Sequence, residues 1–184
     1  MPFKLIAAYS FDAFRVIADI GGGEGFLLAN LVSRNKNIEG ILFDLPEALD
    51  KAPPILQQYG IGDRIRLHAG DFLNQVPVVA DLYILKNILH NWNDSQSVKI
   101  LRNIAGVMPA HAKLIILEMV VPESAEPSVA KLLDIQMMVS FSKGKERTRK
   151  EFEQIINDSG LILNRVVQTI APIAVLEVTK RKII

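Results

Sequence analysis

Short β-rich apolar runs alternate along this chain with longer stretches whose apolar residues recur every three or four positions, the spacing of a helix face. Residues 16–20 form the first run and stop at Gly21, Gly22 and Gly23. Phe26, Leu27, Leu28, Leu31 and Val32 follow at helical spacing. Ile41, Leu42 and Phe43 make a second strand, ending at Asp44. Pro46 suits the first turn of a helix, where its missing N–H costs nothing. Ile55, Leu56 and Tyr59 give that helix one apolar face, and Gly60 and Gly62 close it. Residues 65–69 and 81–85 read as the third and fourth strands. Asn93 or Asp94 caps a helix whose buried face is Val98, Leu101, Ile104, Ala105 and Met108.

Residues 114–119 are apolar on both faces, as a central parallel strand should be. Pro127 opens an apolar helix through Leu132, Leu133, Met137 and Met138. Thr148, with Glu151 three residues on, predicts a capping box for a helix that buries Phe152, Ile155 and Ile156 and stops at Gly160. Residues 161–168 and 173–179 form a last pair of strands. Their link is too short for a crossover helix, so they should be antiparallel. The pattern predicts an α/β fold: a doubly wound, mostly parallel seven-stranded sheet with one antiparallel edge strand. Such sheets bind ligands at the carboxyl ends of their strands. Those ends are residues 21–25, Asp44, residues 70–72, residues 86–94 and Glu118.

The chain's 184 residues, 49% apolar and 22% charged, suit one globular domain. Zero cysteines exclude a disulfide scaffold and cysteine-held zinc or iron–sulfur sites, and fit a reducing, cytoplasmic setting. With 21 basic and 20 acidic residues, the charge of +1 gives no field for nucleic acid or an anionic membrane. No apolar run reaches the roughly 18–20 residues of a membrane helix. Asp12 and Arg15 interrupt the apolar N-terminal stretch, so it is not read as a secretion signal. No acidic cluster suggests a catalytic metal.

The glycines after the first strand let the backbone approach a ligand closely, and the helix behind them offers free N–H groups. Their spacing does not match Gly-x-Gly-x-x-Gly, which weakens a dinucleotide-dependent oxidoreductase as an alternative. Asp44 could accept hydrogen bonds from both hydroxyls of a ribose; a helix N-terminal acid is the plainer reading. Asp71 could accept from an adenine amino group with Phe72 packed on the ring; a turn with a core Phe is the alternative. His90 alone would more often be a packing or capping residue. Residues 143–147, with Lys143, Lys145 and Arg147, read plainly as a basic surface loop. His68 and His111 lie outside the pattern and are structural or solvated.

Residues 19–25, Phe43-Asp44-Leu45-Pro46, Gly70-Asp71-Phe72, residues 85–94 and Gly144-Lys145-Glu146-Arg147-Thr148 occur in this order. As an ordered set, and above all in the His-x-Trp-x-Asp stretch, they resemble the S-adenosylmethionine-dependent O-methyltransferases of caffeate and hydroxyindole type. The resemblance runs from about residue 10 to 180, over the catalytic domain of that family. It implies a Rossmann-like class I methyltransferase fold and S-adenosyl-L-methionine as cofactor. It implies that Gly21 and Gly23 approach the methionine part, Asp44 holds the ribose, Leu45 lies beside the adenine, and Asp71 and Phe72 bind it. Lys86 and Trp92 match cofactor contacts. His90 matches the general base, and Glu118 and Glu146 the acids that orient it. Asp134, Met137 and Met138 fall on the helix that lines the acceptor pocket, with core packing an equal alternative.

Family members carry a helical domain ahead of the catalytic one. Residues 1–15 read as a remnant of that region and residues 16–184 as the catalytic domain. The expected activity is methyl transfer to a hydroxyl of a small, aromatic molecule. A non-catalytic cofactor-binding partner subunit is the alternative. An apolar strip over residues 132–141 would lack its cover, so a homodimer or pairing with a separate chain is expected.

Overall fold

The computed structural model describes residues 9–122, 144–169 and 173–181. The strands are β1 (Val16–Ile20), β2 (Glu39–Asp44), β3 (Ile65–Ala69), β4 (Leu82–Lys86), β5 (Lys113–Val121), β6 (Arg147–Thr148), β7 (Leu161–Val167) and β8 (Ile173–Lys180). The helices are α1 (Phe26–Arg34), α2 (Pro46–Leu49), α3 (Ala52–Gln58), α4 (Asp94–Val107) and α5 (Arg149–Asp158). Main sheet order is β3-β2-β1-β4-β5-β8-β7, and the short β6 pairs with β5 off this path. β1 to β5 are mutually parallel, and β8 is antiparallel to both of its neighbours. The predicted terminal hairpin thus forms one border of the sheet, with β8 the strand of opposite direction and β7 outside it.

Alternation along the buried strands sends side chains into two cores. Ile20, Phe43, Leu85 and Ile116 pack with Leu101 and Ile104 of α4 and with Phe152 and Ile156 of α5. Ile17, Leu42, Ile84 and Ile115 pack on the other face with Leu28 and Val32 of α1 and Leu56 of α3. Tyr9, Phe11 and Phe14, which precede β1, are buried in this second core. Tyr9 also donates a 2.7 Å hydrogen bond to Glu177 of β8.

Two local expectations change. The single helix read from Pro46 to Tyr59 is two, α2 and α3. Pro53 has no N–H to give and its ring opposes the carbonyl four residues back, so the helix restarts with proline in its first turn. Met108 caps α4 rather than lying within it, though it stays buried. The expected helix through residues 132–141, with Asp134, Met137 and Met138, lies outside the described residues.

Asn93 caps α4 by accepting from Gln96 N at 2.9 Å. At α5 the predicted capping box is present: Thr148 Oγ1 accepts from Glu151 N, and Glu151 Oε2 accepts from Thr148 N at 2.8 Å. This cap joins β6 directly to α5. Thr148→Ala should cost about 1 kcal/mol, read as a lower denaturant midpoint at unchanged slope. An unmoved midpoint would show that the cap contributes nothing.

Candidate active site

Strand order reverses between β1 and β4, so their carboxyl ends diverge into a cleft. β1 hands over to Gly21 and Gly23, whose φ values of 71° and 59° a side chain rarely adopts. A Cβ on Gly21 would meet Ile88 Cδ1 at 2.5 Å, whereas one on Gly23 would meet nothing within 4 Å. The loop is therefore packed by protein on one side and open on the other. Gly21 N donates to Phe43 O at 2.7 Å, and Gly23 N to Asp44 Oδ2 at 2.8 Å. Asp44 Oδ1 accepts from Leu45 N at 2.7 Å, and Leu45 is half exposed beside it.

At the end of β3, Gly70 N donates to Asp44 O. Asp71 folds onto its own turn, accepting from Leu73 N and from Asn74 Nδ2. Phe72 meets Trp92 edge to face, ring centroids 6.0 Å apart. The α4 residue Asn103 fixes this loop by donating to Phe72 O and Leu73 O. Gly21, Gly23, Asp44, Leu45, Asp71, Phe72, Lys86 and Trp92 thus gather around one end of the sheet, as the sequence suggests.

Asp19 lies under this loop, 1% exposed. Burial pushes its carboxyl up to about 7, against the opposing charge of Lys86 and with the added repulsion of Asp44. Asp19 precedes the glycine motif, with Ile20 between them, and only the fold places it as an ionisable group in the floor.

β4 ends at Lys86, and Asn87 turns the chain with a φ of 54°. A single 3₁₀ turn, Leu89–Asn91, then carries His90 back toward β5. Lys86 pairs with Leu117, so the next β5 residue, Glu118, faces this turn. Glu118 Oε1 accepts from Leu89 N at 2.9 Å and from His90 N at 3.4 Å. From the other side, β6 pairs with β5 at Val120 and Val121 and so brings Glu146 in. His90 Nδ1 lies 3.3 Å from Glu146 Oε1 and 3.4 Å from Glu118 Oε2. Burial pulls the imidazole pKa down, but the Glu146 hydrogen bond and both acidic charges outweigh it, and the net direction is up. Among the described residues this is the one group of His, Asp and Glu donors close enough together for a metal ion. Here the imidazole and carboxylates face each other directly.

The expected basic surface loop does not exist at Arg147, which is 0% exposed. Its guanidinium donates to Leu89 O at 2.8 Å, Trp92 O at 2.7 Å, Ser97 Oγ at 3.1 Å and Asp94 Oδ1 at 3.0 Å. Lys145 N donates to His90 O, and its ammonium bridges Asp94 and Glu151. Five fixed donors let arginine satisfy several carbonyls at once, so burial suits it when acceptors surround it. Sequence carried no sign of this, because the acceptors are main-chain groups of a distant loop. His68, stacked on Phe43, and His111, paired with Asp81, lie away from the cluster.

An O-methyltransferase domain profile matches residues 2–162. A phenazine O-methyltransferase of Lysobacter antibioticus is 41% identical over 94% of this chain and 50% of its own length. The crystal structure of LaPhzM superposes with a TM-score of 0.92 at 39% identity, over 98% of this chain and 54% of that one. CalO1, a methyltransferase of calicheamicin biosynthesis in its S-adenosylhomocysteine-bound form, gives 0.86 at 36% identity, over 97% and 52%. The chain spans about half the length of the curated relatives it matches.

Arg147→Met removes a charged donor from two loop carbonyls and leaves Asp94 without its buried partner. The expected loss is about 3 kcal/mol, measured by chemical denaturation. Full retention of stability would show that the two loops hold together without it.

Proposed function

The chain belongs to the O-methyltransferase domain family, and on that basis we propose that it methylates a hydroxyl of a small, aromatic molecule with His90 as general base. S-adenosyl-L-methionine is the cofactor. The residues fit it. The open side of Gly23, the carboxylate of Asp44 beside it and the half-exposed Leu45 leave a cradle at the carboxyl ends of β1 and β2. In this reading Gly21 and Gly23 approach the methionine part, Asp44 takes the ribose, and Leu45, Asp71 and Phe72 border the adenine. Lys86 and Trp92 supply further polar and aromatic contacts. When bound, the cofactor supplies an electrophilic methyl group on a sulfonium.

One observation carries the catalytic part: an imidazole fixed through Nδ1 between two buried carboxylates at the mouth of this cleft. Engagement of Nδ1 fixes the tautomer and leaves the lone pair on Nε2, where a hydroxyl proton can be taken. Glu118 and Glu146 hold the ring, and Arg147 holds the loop that carries it. The relative's name, a phenazine O-methyltransferase, favours an aromatic acceptor. Residues 16–184 would form the catalytic domain, with residues 1–15 leading into it. Pairing as a homodimer or with a separate chain is part of this reading. The absence of cysteine suits a cytoplasmic setting.

Calorimetric titration with S-adenosylhomocysteine should give saturable binding, and NAD none. At 100 times its dissociation constant the ligand should stabilise the fold by about 2.7 kcal/mol. Asp44→Ala should weaken binding at least about tenfold, an acceptor of two hydrogen bonds being lost, and Asp63→Ala should not. A folded protein that ignores the ligand would end the cofactor assignment.

With phenolic acceptors, His90→Ala should lose roughly 10²–10⁴-fold in turnover and keep cofactor affinity. Because the His90 pKa is raised, the imidazole stays protonated to higher pH than an ordinary one. Turnover should therefore fall on acidification through a midpoint above about 6.5. Full turnover in the variant would remove His90 from the mechanism. Cofactor binding without turnover on any hydroxyl would favour a non-catalytic partner subunit instead.

A further inference from the structure

We propose that Asn103 is a positioning residue for cofactor recognition: from α4 it holds the main chain of Phe72, so that the Phe72 ring stands edge to face against Trp92 on the border of the adenine. The proposal rests on the cofactor placement given above and deepens it.

Residues 70–81 link β3 to β4 without a helix or strand, so no ladder sets the place of Phe72. Asp71 closes the turn from within. Its carboxylate accepts from Leu73 N at 2.8 Å and Asn74 Nδ2 at 3.0 Å, and its carbonyl from Asn74 N and Gln75 N. Those bonds shape the turn without tying it to another element. Asn103 supplies such a tie. Its Nδ2 carries two hydrogens and donates to Phe72 O at 2.8 Å and to Leu73 O at 3.2 Å. Asparagine favours caps and turns over helix interiors, because its side chain competes for nearby main-chain groups. Within α4 this amide is spent on the carbonyls of a loop distant in the chain.

The other ring of the pair is held from the same helix. Trp92 O accepts from Arg147 Nη2 at 2.7 Å and from Ser97 Oγ of α4 at 3.4 Å, and Asp94 at the start of α4 takes Arg147. Each ring is thus fixed through its own carbonyl, Trp92 through Ser97 and Arg147, Phe72 through Asn103. Ser97 and Asn103 sit about 9 Å apart along one helix axis, which sets the offset of the two rings. Phe72 also borders the glycine loop: a Cβ on Gly21 would come 3.2 Å from Phe72 Cε1. Release of Asn103 therefore loosens the ring from both Trp92 and Gly21. The His90 turn keeps its own ties, through Glu118 and Arg147. The effect falls on cofactor affinity rather than on the base.

Asn103→Asp keeps the shape of the side chain and removes both donors. Calorimetric titration with S-adenosylhomocysteine should then show a Kd raised at least about fivefold, as loss of two neutral hydrogen bonds does, at unchanged stoichiometry. Where methyl transfer is measured, KM for the cofactor should rise in step while kcat holds. A residue that merely supported the fold would instead lower the stoichiometry and kcat and leave Kd and KM alone. That result, or unchanged binding, would overturn the proposal. Should Asn103→Asp fail to fold, the unsubstituted protein decides by NMR. The side-chain N–H signals of Asn103 should shift when S-adenosylhomocysteine is added, and signals that ignore the ligand would overturn the proposal equally. An unsubstituted protein that binds no S-adenosylhomocysteine would end the cofactor reading itself, and this proposal with it.

Discussion

The buried guanidinium of Arg147 joins two loops that are far apart in sequence. One descends from β4 and carries His90; the other enters β6 and carries Glu146. Its donors reach carbonyls at both ends of the 3₁₀ turn and the acid that opens α4. Lys145 N, which donates to His90 O, and the contact of His90 with Glu146 add to that grip. Because charge burial is costly unless every donor is used, the arrangement tolerates little drift. The position of an imidazole relative to its acids is therefore set by a residue that touches neither reacting atom.

Strand register does the rest. β4 stops at Lys86, opposite Leu117, while β5 runs on to Val121. That overhang places Glu118 under the turn and offers Val120 and Val121 to β6. Glycines at the end of the neighbouring strand keep the cleft open on one side, and Ile88 closes it on the other. Cofactor cradle and candidate base are thus built from adjacent strand ends rather than from one long loop.

Features decided by local chemistry were legible in the sequence. The glycine run, Asn93 as a cap and the Thr148–Glu151 box carry their reasons within a few residues, and each occurs as expected. The order of elements then dictated a doubly wound sheet with a terminal hairpin. Pro53 was missed as a break because Pro46 already accounted for a helix start. Arg147 was misread because a cation's burial depends on where distant main-chain oxygens fall. The left-handed turn at Asn87 left no mark either, since its cause is the geometry that returns the chain to β5. His90, Glu118 and Glu146 became a set only through the ordered family motifs; the fold then supplied their distances.

β8 lies between β5 and β7, although it follows both in the chain. Glu118 is paired across it with Ala174. During synthesis β5 therefore waits for a strand made more than fifty residues later before its second edge is covered. Until then an apolar strand bearing the buried acid stays open to pairing with other chains. The part of the sheet that holds the candidate chemistry is thus completed late, by a long-range pairing of the slow kind. A ribosome-bound chain that stops short of β8 would have the cofactor loop and α1 in hand but an unprotected β5, and would be a natural target for chaperones.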